Sequence, residues 1–243
     1  NQSMRTARKH ILSNSGIFHK MWRGHNREYV LGRNSDKHNY LMCLLLKLTT
    51  FFRKHIQIHA YCIMGNHVHE AGSLQKVNEK DGFEHAINEL GNFMRNAHSQ
   101  FGQLYNRIYQ RQGKVAYDRP KTSEVQSFQK LLQVMFYIDA NPVRAGIVNH
   151  PRNYSWGSYN FFAFGKRDRY SEILTAPPCY IQLGRTSLER QRRYRKLFDQ
   201  YLRNKGLLSD QVQDMQAQFI GDKQWKKVRQ EQISRINKTA KGP

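Results

Sequence analysis

A predicted β-hairpin at residues 57–73 constrains the fold more than any other part of the chain. Residues 57–64 (QIHAYCIM) have the composition of a largely buried strand. Gly65-Asn66 is a typical hairpin turn, and residues 67–73 supply the returning strand. We therefore expect an antiparallel sheet that contains this hairpin.

The remaining elements complete the order strand–helix–strand–strand–helix–strand. Hydrophobic periodicity predicts strands at 16–22 and 113–117 and helices at 35–52 and 83–109. This order is typical of the ferredoxin-like (split βαβ, RRM-like) α+β fold, an antiparallel sheet with helices on one face.

Two further helical regions follow the ferredoxin-like unit. The first begins at Thr122 or Ser123 and ends before Asn141-Pro142, because a residue that precedes proline is pushed out of the helical region. From Thr186 onward the pattern is helical and strongly basic. We therefore divide the chain into a domain at 1–180 and a basic, mainly helical C-terminal extension at 181–243.

The charge of the chain indicates the class of its partner. Forty Lys and Arg residues against 18 Asp and Glu residues give a formal net charge of +22. This excess favours a polyanion, namely DNA, RNA or an anionic membrane surface. The sequence lacks an apolar run of the length that a membrane span needs, about 18 residues. Its three cysteines form no CxxC pair, which argues against a disulfide framework or a cysteine zinc site.

His67-Val68-His69 is the sharpest local motif. Residues i and i+2 of a strand point to the same face, so the two imidazoles would lie close enough to share one metal ion. Asn66 in the turn is placed to orient one ring by a hydrogen bond. The same alternation puts Glu70 on the opposite face. The alternative is a pair of surface histidines without a ligand, which a chain with 11 histidines easily contains.

Tyr137 and Asn141 form the second candidate group. They are four residues apart at the predicted end of a helix and therefore share one face. A tyrosine, with a pKa of about 10, is mostly protonated at neutral pH, and a nearby divalent cation would activate it as a nucleophile toward a phosphate. The alternative is that Tyr137 is an ordinary, partly buried aromatic residue.

Several ordered motifs resemble one family. The sequence is similar to the HUH superfamily, and within it to the REP-associated branch of the single-tyrosine transposases of bacterial insertion sequences. The resemblance is carried by residues 15–27, 61–69, 117–121, 137–146 and 154–159. Two positions depart from the family pattern. Gly65 stands where relatives usually have proline, and Glu70 stands where they have an apolar residue.

The resemblance implies a metal-dependent DNA transposase or endonuclease, with residues 1–180 as its catalytic domain. It implies that His67 and His69 bind Mg²⁺ or Mn²⁺, that Asn141 is the third ligand and that Tyr137 is the nucleophile. The enzyme would cleave and rejoin single-stranded DNA at hairpin (REP-like) sequences through a 5′-phosphotyrosine intermediate. We expect a cytoplasmic, nucleoid-associated bacterial protein, and we favour a monomer slightly over a homodimer.

DNA contacts are expected from basic and polar residues near the motifs and from one aromatic residue. The candidates are Arg23, Asn26, Arg27, Arg111, Arg119, Lys121, Arg144, Trp156, Arg192 and Arg193. The alternative function is a non-catalytic single-stranded nucleic-acid-binding protein, which would stack bases on aromatic residues of its central strands. The predicted third strand has histidines in place of such an aromatic pair, which disfavours this alternative.

Overall fold

The computed structural model describes residues 7–76, 82–116, 118–204, 215 and 217–239. The strands are β1 (Ile17–Arg23), β2 (Ile56–Ile63), β3 (His67–Leu74), β4 (Lys121–Val125) and β5 (Phe219–Ile220). The helices are α1 (Arg8–Ile11), α2 (Asn34–Lys47), α3 (Glu84–Ile108), α4 (Phe128–Asp139), α5 (Asn141–Arg144), α6 (Tyr159–Phe164), α7 (Pro178–Ile181), α8 (Ser187–Arg203) and α9 (Lys223–Thr239). None of the helices in these ranges has the length and apolar composition of a membrane span.

The sheet confirms the ferredoxin-like fold. Its strand order is β2-β3-β1-β4-β5, and the four strands of the ferredoxin-like unit pair antiparallel. Strand β5 extends this sheet by pairing parallel to β4. Strands β1 and β3 therefore lie inside the sheet, and each has a neighbouring strand on both sides.

The two faces of the sheet carry different helices. Helices α2 and α3 lie on one face, where Tyr40 of α2 donates a hydrogen bond to Glu70 and stacks on Trp22. Helices were predicted on one face only, but helix α4 also covers the opposite face, where the Tyr137 ring contacts His69 edge-on. Polar side chains of the two central strands lie between the sheet and α4.

The fourth strand lies later in the chain than predicted. Of residues 113–116, only Ala116 forms a bridge, to Gly24, and Tyr117 is outside the described residues. Residues 121–125, predicted as a turn and a helix start, instead pair with β1 and β5. The α4 helix consequently begins at Phe128, and Ser127 caps it by accepting a hydrogen bond from the Lys130 backbone.

The C-terminal helices pack against the sheet domain. Tyr194 and Phe198 of α8 are fully buried, and Phe198 contacts Phe136 of α4. In α9, Arg229 is buried in an ion pair of 2.9 Å with Glu124 of β4. Arg229 also donates hydrogen bonds to the carbonyls of His10 and Ile11, which ties the end of the chain to its beginning.

Candidate functional site

Three histidines meet on the α4 face of the central strands. In the β1–β3 register, Arg23 lies opposite His67 and Met21 lies opposite His69. His19, two residues before Met21, therefore projects from the same face. The His67 and His69 ring centroids are 5.1 Å apart, as the alternation of the motif predicts. Local sequence pattern does not predict a place for His19 at this site, because its proximity to His69 depends on pairing between strands 50 residues apart.

Asn66 orients the first imidazole. Its Oδ1 lies 2.7 Å from His67 Nδ1. An amide oxygen only accepts, so His67 Nδ1 carries the proton and Nε2 retains its lone pair. The turn residue thus has the orienting position predicted for it, and the tautomer it selects is one that can bind a metal through Nε2.

The site histidines are neutral at physiological pH. Burial, followed by the charge of Arg23, lowers the pKa of His67 to about 4. Burial also lowers the pKa of His69 well below its ordinary value, with further contributions from His19 and His67. Metals bind the neutral imidazole, so these rings require no deprotonation before they can act as ligands.

Tyr137 lies in the last turn of α4, and the end of this helix fixes its position. The helix ends at Asp139, and Asn141 and Pro142 begin α5, as the proline predicts. The Tyr137 and His69 ring centroids are 5.6 Å apart with nearly perpendicular planes. Asn141 Nδ2 donates to the carbonyls of Tyr137 and Ile138, both at 3.1 Å, which leaves its Oδ1 as the amide atom available to a ligand.

Arg144 provides the electrostatic environment of Tyr137. Its guanidinium donates to the Tyr137 carbonyl at 2.7 Å, and its Cζ lies 4.1 Å from the ring centroid. Burial raises the pKa of the Tyr137 phenol, and the charge of Arg144 opposes this rise. Arg144, a predicted DNA contact, is therefore also in direct contact with the candidate nucleophile.

These groups line one cavity of about 290 Å³, which we call the site cavity. Its lining residues are His19, Met21, Arg23, His67, His69, Lys121, Ser123, Tyr137, Asn141, Arg144 and Met215. Three of these residues are cationic, and none of the described lining residues is acidic. The cavity therefore suits a small anion such as a phosphodiester group.

The donor set that the site offers to a divalent cation consists of two imidazoles and one amide oxygen. The described residues contain no group of three or more His, Cys, Asp or Glu side chains arranged for a metal. His67, His69 and the amide oxygen of Asn141 would fill only part of a coordination sphere. Imidazole and carbonyl oxygen together suit Mn²⁺ and tolerate Mg²⁺.

A second cavity of about 440 Å³, the arginine groove, adjoins the first and shares Met21, Arg23 and Lys121 with it. It is also lined by the predicted contacts Asn26, Arg27 and Arg119. Asn26 and Arg27 have positive φ angles of 49° and 62°. Such backbone is uncommon outside glycine, and it turns this loop beside β1 toward the groove.

The other predicted contacts lie outside these two cavities. Arg111 forms an ion pair of 3.2 Å with Glu28. Trp156 donates a hydrogen bond to Asn34 at the start of α2. Arg192 and Arg193 are exposed on α8. The structure therefore brings Arg23, Asn26, Arg27, Arg119, Lys121 and Arg144 together, and it leaves the remaining four predicted contacts apart from them.

Both departures from the family pattern have structural explanations. Glu70 lies on the opposite face from the histidine pair, as predicted, and its carboxylate is 2.6 Å from Lys20 Nζ. Gly65 is covered by the Tyr29 ring, and a Cβ at this position would lie 2.6 Å from Tyr29 Cδ1. Proline at position 65 would therefore require Tyr29 to move.

Comparisons with known proteins return one fold-level similarity. No family model and no curated protein matches the sequence. Among solved structures, a REP-associated tyrosine transposase bound to a REP hairpin is similar to this chain, with a TM-score of 0.48 and 14% sequence identity. The match covers 74% of this chain and 93% of the solved chain. Because this likeness is weak, the functional assignment depends on the site geometry.

Proposed function

We propose that this protein is a metal-dependent transposase or endonuclease that cleaves and rejoins single-stranded DNA at hairpin sequences. The observation that carries this proposal is the position of Tyr137 in one small cavity with His67, His69 and a cationic wall. A phenol can act as the nucleophile in phosphoryl transfer, neutral imidazoles can hold an activating cation, and arginines can stabilise the phosphate charge. The hairpin as substrate comes from the family resemblance of the motifs.

His67 Nε2, His69 Nε2 and Asn141 Oδ1 would hold the divalent cation. When bound, the cation would act as a Lewis acid on the phosphodiester. The protein contributes ring orientation through Asn66 and neutral imidazoles through burial. The Asn141 amide donates a hydrogen bond to the Tyr137 carbonyl. This bond fixes the position of the proposed ligand relative to the proposed nucleophile.

Arg144 assists the phenol of Tyr137. Its charge next to the ring favours the phenolate, against the effect of burial. In the reaction the Tyr137 Oη–phosphorus bond forms and the phosphorus–O3′ bond breaks. The phenolic proton passes to water, and the departing O3′ takes up a proton to become a free 3′-OH. The phosphotyrosine conserves the energy for rejoining.

The arginine groove would bind the part of the DNA strand that adjoins the phosphate to be cleaved. It opens from the site cavity at Arg23 and continues along Arg27 and Arg119. Successive cations along a groove suit the spaced phosphates of a single strand. Binding should therefore weaken steeply with salt.

A covalent-adduct assay tests the proposed function. The protein is incubated with a 5′- or 3′-labelled DNA hairpin that carries a single-stranded flank, with Mn²⁺ or Mg²⁺, and is then denatured on a gel. We expect label to migrate with the protein only when the strand 3′ of the cleavage site is labelled, because Tyr137 retains the 5′-phosphate.

Tyr137→Phe is the decisive variant. It should form no adduct and should bind the hairpin with unchanged affinity. Tyr201→Phe is the matched control. It removes a hydroxyl that lies close to Arg144 and does not line the site cavity, so this variant should form adduct normally. Adduct formation by Tyr137→Phe would show that the nucleophile is wrong. Metal-independent binding without any adduct would favour the non-catalytic nucleic-acid-binding alternative.

A further inference from the structure

A third cavity, which we call the α3 groove, adjoins the arginine groove and has no part in the proposed function. It has a volume of about 740 Å³ and lies between helix α3 and residues 113–116 and 118–120. Asp118, Arg119 and Pro120 line both grooves. The arginine groove in turn shares Arg23 with the site cavity. The three cavities therefore follow one another on the surface of the protein.

The wall of the α3 groove that faces the helix is held by hydrogen bonds at both ends. Asn106 Nδ2 of α3 donates to the Gly113 carbonyl at 2.9 Å. The Val115 carbonyl accepts from the His25 backbone N–H, also at 2.9 Å. These bonds join the wall to α3 on one side and to the loop after β1 on the other, so the groove is a fixed feature of the fold.

Two glycines in the interior of α3 keep the helical wall open. Gly91 and Gly102 both line the groove, and they lie on the same side of the helix because they are about three helical turns apart. Glycine at such positions lowers helix stability relative to alanine. A Cβ at Gly91 would lie 3.4 Å from Arg8 Nη1, and a Cβ at Gly102 would meet only Val115, at 3.9 Å. The missing side chains thus make room for the Arg8 guanidinium and leave open space farther along the helix.

The α3 groove is cationic. Three segments supply its charges, namely Arg8 of α1, Arg95 of α3, and Lys114 and Arg119 of the opposite wall. Asp118 is the one acid among the described residues that line it. Neither Arg95 nor Lys114 forms an ion pair within the described part of the chain. Burial, followed by the charge of Arg119, lowers the pKa of Arg8 to about 10. This excess of cations suits a run of phosphates.

We propose that the α3 groove binds single-stranded DNA where the strand continues beyond the arginine groove. The three cavities would then form one strand path that begins at Tyr137. The proposal rests on the proposed function for the identity of the polyanion as DNA. The described lining residues of the α3 groove include no Phe, Tyr or Trp, so the groove should hold the phosphates and tolerate any base sequence.

The course of this path favours an unpaired strand over a duplex. The site cavity lies on the α4 face of the sheet, whereas α3 packs on the opposite face, where His98 contacts Trp22. The arginine groove lies between them, beside the end of β1 and the start of β4. The path therefore turns around the end of the sheet. Duplex DNA, with a persistence length of about 150 base pairs, resists such a turn, and a single strand can follow it.

The test compares two DNA probes that bind to the full-length protein without divalent metal. One is a blunt hairpin, and the other is the same hairpin with single-stranded flanks of about 16 nucleotides, the upper end of the site sizes of strand-binding grooves. Fluorescence anisotropy gives the affinity and its salt dependence. We expect the wild type to bind the flanked hairpin more tightly than the blunt one.

Arg95→Gln/Lys114→Gln tests the charges of the groove. Each phosphate contact on a single strand contributes about 0.7 to the salt slope, which is about 5-fold in affinity at about 0.1 M salt. The double variant should therefore bind the flanked hairpin up to about 25-fold more weakly and the blunt hairpin as the wild type does. Arg107→Gln is the matched control, because Arg107 is exposed on the same helix and lines none of the three cavities.

Gly102→Leu tests the space in the groove without a change of charge. Leucine favours the helix, so the variant should be at least as stable as the wild type in thermal denaturation. Its side chain should fill the groove and weaken the binding of the flanked hairpin only. Gly102→Ala is the matched control and should bind both probes normally, because its Cβ makes only an ordinary contact with Val115.

The outcomes separate this proposal from the proposed function. If the wild type forms no covalent adduct but the groove variants lose affinity for the flanked hairpin, cleavage is contradicted and the strand-binding groove is supported. Wild-type affinity of Gly102→Leu and Arg95→Gln/Lys114→Gln for the flanked hairpin would overturn the groove. Equal losses on the flanked and blunt hairpins, or an equal loss in Arg107→Gln, would also overturn it.

Discussion

The two faces of strands β1 and β3 carry polar groups of opposite character, one residue apart in sequence. On the α2/α3 face, Lys20 and Glu70 form a fully buried ion pair of 2.6 Å, and Tyr40 donates to the same carboxylate at 3.0 Å. On the α4 face, His69 lines the site cavity together with His19 and His67. The polar groups on the α2/α3 face, the closed face, pair with one another. Those on the α4 face, the open face, line a cavity that a ligand could enter.

The two faces bury polar groups in different ways without a loss of stability. The charges on the closed face are compensated within the protein, so that face tolerates complete burial. His69 is buried and His67 is partly buried, both in neutral form, so these rings need no counter-ion and could accept a cation as ligand groups. Changes on the closed face should therefore affect stability, and changes on the open face should affect chemistry.

The largest effect is expected from His69→Ala on the open face. The variant loses one proposed ligand, and we expect adduct formation to slow by about 10³-fold or more, since a bound cation is worth several kcal/mol to such a reaction. The rate of adduct formation with a labelled hairpin measures this. His59→Ala should react at a nearly normal rate. Equal losses in the two variants would remove the distinction between site and structural histidines.

Lys20→Met tests the closed face. It leaves the Glu70 carboxylate buried without its cation, and we expect the free energy of unfolding to fall by about 3 to 5 kcal/mol. The double variant Lys20→Met/Glu70→Leu removes both charges and should recover most of this loss. Urea denaturation measures both variants, and the double variant should still form the adduct. A double variant as unstable as the single one would mean that packing, rather than charge compensation, sustains this face.

Asp139 provides a carboxylate to compare with Glu70. It is buried at the end of α4, where Tyr194 and Ser158 donate hydrogen bonds to it, and burial raises its pKa to about 7. A raised pKa means that the folded state keeps a proton that the unfolded chain has released, so this group's contribution to stability falls as pH rises toward 7. From pH 5 to pH 7 the wild type should lose about 2 kcal/mol relative to Asp139→Asn.

The measurement for Asp139 is the difference in unfolding free energy between the two proteins at each pH. The buried histidines have lowered pKa values and act in the opposite direction, and they cancel in this difference because both proteins contain them. A difference that stays constant from pH 5 to pH 7 would show that Asp139 is ionised throughout.

The smallest effect is expected from the exposed arginines of α8, which belong to neither face. Arg192→Gln/Arg193→Gln should weaken hairpin binding uniformly across sequences and reduce the salt slope by at most about 0.9 per arginine, without slowing adduct formation at saturating DNA. Arg229→Gln is the instructive contrast, because Arg229 is buried against Glu124 and should cost stability instead. An unchanged salt slope in the α8 variant would exclude this helix from the DNA interface.

Local sequence pattern predicted a large part of this architecture. Strand alternation at residues 67–70 placed His67 and His69 on one face and Glu70 on the other, and the proline at 142 marked the end of the Tyr137 helix. The order of elements predicted the ferredoxin-like sheet. These features depend on periods of two or 3.6 residues and on the geometry of proline. Both are local effects, set by residues close to one another in the sequence.

The tertiary structure decided the features that join distant segments. Strand β4 lies at Lys121–Val125 because β1 and β5 pair with it, although its own sequence has little strand character. His19 reaches His69 only through the β1–β3 register, and it lines the same cavity as Met215, nearly 200 residues away. Arg229 resembles its basic neighbours in sequence and is buried because Glu124 faces it. Periodicity shows which way a side chain points, but only the pairing of strands and helices determines what it meets.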